Sequence, residues 1–181
     1  CAAYECMPPL EFPLAVMRAV VAVPRGNPLE LATLEDLLAG DVRLAMANPD
    51  AAAIGMVTKH TLEESGEWER LAAAVDVFTT TVTEVTNAVK LGAVDAGIVY
   101  DAVLHDYPDL EAVAVEPLGG IRSQVGLAVA SGSSQPQAAS HLARYIAAAD
   151  RGLVHYQEHD YTPLEGDLWD DQPELTLYAG S

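Results

Sequence analysis

The run Ala19-Val20-Val21-Ala22-Val23 ends abruptly in Pro24, Gly26, Asn27 and Pro28, and a helix-forming segment follows at once. Five consecutive small or β-branched apolar residues read as a strand buried on both faces. The strand must stop there, because proline lacks the N–H that a sheet ladder needs and Gly-Asn-Pro supplies turn geometry. Far downstream, a second apolar run (Val125-Gly126-Leu127-Ala128-Val129-Ala130) stops at Ser131-Gly132-Ser133-Ser134. Two strands bracketing a self-contained segment predict two lobes joined by a pair of crossing strands. The predicted division puts residues 1–23 and 122–181 in one lobe and 24–121 in the other.

The segment between the crossings alternates strand and helix. Leu31–Leu38 reads as a helix capped by Thr33, with Glu35 and Asp36 in its first turn and Gly40 ending it. Val42–Ala47 is a short buried strand, and Asn48-Pro49-Asp50 a turn. Helices are predicted over 53–64, closed by Ser65-Gly66, and over 68–74; strands over 75–78, 96–100 and 110–115; and a helix from the Thr79-Thr80-Thr81 cluster to Leu91, with Gly92 at its end. This order predicts an α/β fold with parallel strands and right-handed crossovers from residue 19 to 130. Beyond the second crossing, Gln135-Pro136 opens a helix through Ala149 whose apolar face is predicted to be Leu142, Tyr145, Ile146 and Ala149. Leu153–Glu158 reads as a short helix, and Leu175-Thr176-Leu177-Tyr178 as an edge strand in an acidic tail.

Charge excludes some partners. The formal net charge is −18, so nucleic acid and anionic membrane surfaces, which require clustered Lys and Arg, are not expected partners. No apolar run approaches the roughly 20 residues that span a bilayer. Half the residues are apolar, enough for a packed core rather than disorder. Cys1 and Cys6 are read as small core residues, with a disulfide or a lipid attached at Cys1 as the alternatives.

Open α/β sheets bind ligands beyond the carboxyl ends of their strands, where helix N-termini point. Three such places fall in the middle segment. Ala51-Ala52-Ala53-Ile54-Gly55 has small side chains that let backbone N–H groups approach a ligand. Thr79-Thr80-Thr81-Val82 offers hydroxyls with amides. Tyr100, followed by Asp101, offers a phenol. Together they would hold an anion on first-turn amides without a lysine or arginine. Each has a plainer reading: Thr79–Thr81 as a helix cap, Ala51–Ala53 as an ordinary helix start, Tyr100 as a core aromatic. His155 and His159 lie one helical turn apart but are read as a solvated face rather than a metal pair. No Gly-x-Ser-x-Gly, phosphate-loop or dinucleotide glycine motif occurs; Asp101, His105 or a cysteine would carry an enzymatic reading.

Three stretches carry a family likeness: Val-Pro-Arg-Gly-Asn-Pro-Leu from Val23 through Leu34-Glu35-Asp36-Leu37 to Asn48-Pro49; Gly92-Ala93-Val94-Asp95-Ala96-Gly97-Ile98-Val99-Tyr100; and Ala128-Val129-Ala130 through Arg151-Gly152-Leu153 to Tyr161-Thr162-Pro163. In that order they resemble the solute-binding proteins of molybdate/tungstate ABC importers over roughly residues 1–164. The resemblance implies a type II periplasmic-binding-protein fold whose first lobe is incomplete, because the stretch that would bring two hydroxyl ligands has no counterpart before Cys1. It implies a monomer outside the cytoplasm that closes about a hinge on molybdate or tungstate, with no other cofactor, and delivers it to the membrane permease of an ABC importer; no bond is made or broken in that role, so an enzyme is not expected. By position it implies ligand contacts from Ala53, Ile54 and Gly55, from Thr81 and Val82, and from Tyr100. A ligand-sensing regulatory domain of the same fold, or a binder of sulfate, phosphate or a small carboxylate, is the alternative.

Overall fold

The computed structural model describes residues 11–171. Cys1, Cys6 and the Leu175–Tyr178 segment lie outside the described residues. The chain separates into two compact units, one of residues 17–123 and one whose described residues are 11–16 and 124–171. The predicted division at 23/24 falls later along the first strand than the observed one at 16/17, and the second boundary lies at 123/124 rather than 121/122.

Strand β1 (Glu11–Pro24) supplies residues to both units, and its positions 19–23 are all buried, as a run of Ala and Val without polar alternation requires. In the 17–123 unit, β2 (Leu44–Ala47), β3 (Val75–Thr79), β4 (Ala96–Tyr100) and β5 (Leu110–Val113) complete the order β3-β2-β4-β1-β5. β2 runs parallel to β3 and to β4, as the alternation predicted. β1 is antiparallel to both β4 and β5, which corrects the expectation of parallel strands from residue 19 onward. Apolar periodicity reports which faces are buried but carries no strand direction.

Helix α1 (Leu34–Leu38) opens on a capping box. Thr33 Oγ accepts from Asp36 N, and the Asp36 carboxylate accepts from Thr33 N at 2.7 Å. α2 (Ala53–Ser65) and α3 (Trp68–Ala74) connect β2 to β3, and α4 (Val82–Lys90) connects β3 to β4. Right-handed crossovers in opposite directions place α2 and α4 on opposite faces of the sheet. On the α4 face, a Cβ added at Gly97 would lie 2.5 Å from a Val85 methyl, so only glycine admits this close helix–strand packing.

In the other unit, residues of β1 pair with β7 (Thr162–Pro163) through Ala15↔Pro163 and Val16↔Thr162. β6 (Arg122–Ala128), which begins in the first unit, alternates exposed and half-buried positions. Helices α5 (Pro136–Ala147) and α6 (Gly152–Glu158) follow. The predicted inner face of α5 is wrong. Leu142 and Tyr145 are 58% and 45% exposed, while Ser140 and Ala143 are buried. Helical spacing groups Leu142 with Tyr145, but the residues packed on α5 decide which stripe is covered. Trp169 lies against His141 and Tyr145 at ring separations of 4.9 and 5.4 Å.

Candidate functional site

The carboxyl ends of β3, β2 and β4 are adjacent. The register pairs Ala47 with Thr79 on one side of β2 and Met46 with Ile98 on the other. Carried two residues further, the second pairing sets Asn48 level with Tyr100. The connections leave β2 toward β3 and return past β2 to β4, so the order reverses between the ends of β2 and β4. Such a reversal opens a crevice between the outgoing helices. The three sequence-predicted stretches therefore end or begin at one edge of one sheet.

Helix α2 starts bare. Its N-cap is Ala52, which has no side-chain acceptor, and its first turn contains no acid. The N–H groups of Ala51 and Ala52 donate to the Asn48 carbonyl at 3.2 and 2.9 Å, and Met56 N donates to the Ala52 carbonyl at 2.9 Å. This leaves the first-turn amides of Ala53, Ile54 and Gly55 uncapped. Gly55 fixes how closely α2 meets β2. A Cβ there would stand 2.5 Å from the Ala47 carbonyl oxygen and 2.6 Å from that of Asn48.

Helix α4 starts differently. Thr81 Oγ accepts from Glu84 N at 3.2 Å, and a Glu84 carboxylate oxygen accepts from Thr80 N at 2.8 Å and Thr81 N at 3.2 Å. The Thr81 hydroxyl and amide are thus engaged in the cap, and Thr79 Oγ donates to the Thr81 carbonyl at 2.8 Å. Val82 and Thr83 remain as first-turn donors. Glu84 is a residue at this edge of the sheet that the sequence reading did not single out. Its signal was legible, since Thr81-Val82-Thr83-Glu84 has capping-box spacing.

Tyr100 closes β4. It is 6% exposed, and its hydroxyl oxygen is buried with no hydrogen-bond partner among the described residues. Leaving a buried hydroxyl unpaired costs about 1–3 kcal/mol. The neighbouring Asp101 carboxylate is occupied: it accepts from Arg18 N at 3.0 Å and Ala102 N at 2.8 Å, tying β1 to the 3-10 turn at Asp101–Asp106. Among the described residues no group of three His, Cys, Asp or Glu side chains is placed to hold a metal, and His155 Nδ1 lies 2.9 Å from a Glu158 carboxylate oxygen on an exposed face.

A mixed sheet of this order, entered along β1 and left along β6, with one bare helix start, one capped one and a buried phenol at its carboxyl edge, has the architecture of a type II periplasmic-binding protein. The chain belongs to the family of bacterial extracellular solute-binding proteins, whose model matches residues 8–152. Solved structures agree on the fold. A substrate-binding domain assigned to a molybdenum ABC transporter of Clostridium difficile superposes with a TM-score of 0.67 at 19% identity, over 86% of this chain and 67% of that one. The periplasmic molybdate-binding protein of Azotobacter vinelandii gives 0.67 at 16% identity, over 88% and 70%. A periplasmic thiamin-binding protein gives 0.68 at 14% identity, over 92% and 57%. No functionally curated protein matches the sequence.

Proposed function

We propose that this chain captures a small tetrahedral oxyanion, molybdate or tungstate, outside the cytoplasm and delivers it to the membrane permease of an ABC importer. The Tyr100 hydroxyl carries this reading: it is buried and has no partner among the described residues, and its residue ends the strand level with Asn48, from which the bare start of α2 departs. A ligand oxygen would supply the missing acceptor, and the uncapped amides of Ala53, Ile54 and Gly55, with Val82, would supply further donors. Amide donors at helix starts hold anions without a side-chain cation, so a net charge of −18 does not oppose the reading. Diffuse surface charge is screened beyond roughly 8 Å at physiological salt, whereas oriented amides act at contact distance.

The solutes named for the neighbouring structures include both molybdate and thiamin, so the test must span ligand classes. Thermal melting of the full chain with molybdate, tungstate, sulfate, phosphate and thiamin, each at matched ionic strength, makes the distinction. A rise in melting temperature with molybdate and tungstate, larger than with sulfate, supports the proposal. A response to thiamin alone, or to none of the oxyanions, removes it.

A further inference from the structure

The two helix starts at the carboxyl edge of the sheet are not equivalent. α2 has neither cap nor first-turn acid, while α4 carries a carboxylate bonded to the amides just before it. Glu84 is exposed, and its oxygen at 2.8 Å from Thr80 N and 3.2 Å from Thr81 N occupies donors that an incoming anion would otherwise use. It is thus a built-in anion at the α4 end of the site, with Thr81 Oγ on Glu84 N fixing its helix turn. Resting on the function proposed above, we propose that Glu84 is a charge-selecting residue, whose carboxylate repels the bound oxyanion in proportion to the solute's own charge.

Two independent features favour this over a purely structural cap. Glutamine closes the same box as glutamate, so capping alone does not require the charge. The Tyr100 hydroxyl, buried and without a partner among the described residues, marks the same carboxyl edge of the sheet as a place where an acceptor is missing. A dianion seated on the remaining amides therefore feels Glu84 twice as strongly as a monoanion of equal size, because Coulomb energy scales with the product of the charges. The charge lowers the affinity for dianions most and narrows the advantage they would have over monoanions on bare helix starts.

The test is calorimetric titration of the full chain and its Glu84→Gln variant with tungstate and with perrhenate, tetrahedral oxyanions of charge two and one. Glu63→Gln, at an exposed position near the far end of α2, controls for the loss of one unit of net charge. Glu84→Gln is expected to tighten tungstate binding about four- to tenfold at low salt, and perrhenate by about the square root of that factor. Both gains should shrink toward none near 1 M salt, where the screening length is about 3 Å. Glu63→Gln should do neither. Unchanged or weaker tungstate binding in Glu84→Gln, equal gains for both anions, or an equal gain in Glu63→Gln overturns the role of Glu84 while leaving the oxyanion reading intact. A parent chain and variant that both fail to bind either anion overturn the two together. Thermal melts of the unliganded variants confirm that each is folded.

Discussion

The backbone N–H of Asn48 donates to the carbonyl oxygen of Thr79 at 2.8 Å, one residue beyond the last paired position of β2. This bond ties the exit of β2 to the exit of β3. The chain then turns into α2 from one and α4 from the other, so this bond lies where both helix starts leave the sheet.

Gly55 is the residue on which that arrangement is most sensitive. In Gly55→Ala the new methyl would collide with the carbonyl oxygens of Ala47 and Asn48, and backbone oxygens cannot swing aside as a side chain can. We expect a loss of about 1–3 kcal/mol in stability from overpacking, read as a lower denaturant midpoint with an unchanged slope. Because α2 must move outward, solute binding should weaken as well. Unchanged stability would show that α2 does not pack as described.

Thr81→Ala separates the cap from the site. It removes the acceptor for Glu84 N and should cost about 1 kcal/mol, measured by chemical denaturation. Thr81→Ser keeps the acceptor and should recover most of the loss.

Acid should act on the Arg43–Asp95 pair, which joins the start of β2 to the start of β4. Arg43 Nε and Nη2 donate to the Asp95 carboxylate at 2.9 and 2.6 Å, and Arg43 N donates to it at 3.0 Å. Hydrogen bonds from the Arg43 side chain, and then from its backbone, hold the Asp95 carboxyl below the usual carboxylate range. A folded pKa below the unfolded one means that this stabilisation is fully present above the unfolded value, and it is lost as pH falls through the folded one. Asp95→Asn should therefore lower stability at neutral pH and flatten the acid limb of a denaturant-midpoint-against-pH curve. Asp36 bends that limb in the same direction, its carboxyl lowered first by the Ala32 N–H and then by the Thr33 hydroxyl.

Much of the 17–123 unit was legible in the sequence because its punctuation is local. Trp68–Ala74 has its predicted bounds, α2 stops at Ser65 before Gly66, and α4 follows the threonine cluster, since caps and glycines act within a turn of where they stand. The direction of β1 was not legible, because a buried Ala/Val run looks the same in either sense. The covered stripe of α5 was not legible either: Ser140 and Ala143 are buried and Leu142 is not, for reasons of packing that lie elsewhere in the chain. At the candidate site, Tyr100 and the small residues of α2 could be picked out by position. That the Tyr100 hydroxyl has no partner among the described residues, that Asp101 is held by Arg18, and that Glu84 sits on the threonine amides are facts of three dimensions.

Tyr100→Phe bears on stability and binding in opposite ways. Removing a buried hydroxyl that has no partner among the described residues should leave the melting temperature of the unliganded protein unchanged or raise it, because no hydrogen bond between described residues is lost. A lowered melting temperature would mean that the hydroxyl has a structural partner.

The most direct test is calorimetric titration of tungstate into the parent chain and into Tyr100→Phe. Loss of a hydrogen bond to a charged ligand should weaken binding by about 1.5–3 kcal/mol, or roughly ten- to over a hundredfold. Equal dissociation constants for the two proteins would contradict the placement of Tyr100 at the solute and, with it, the site described for this chain.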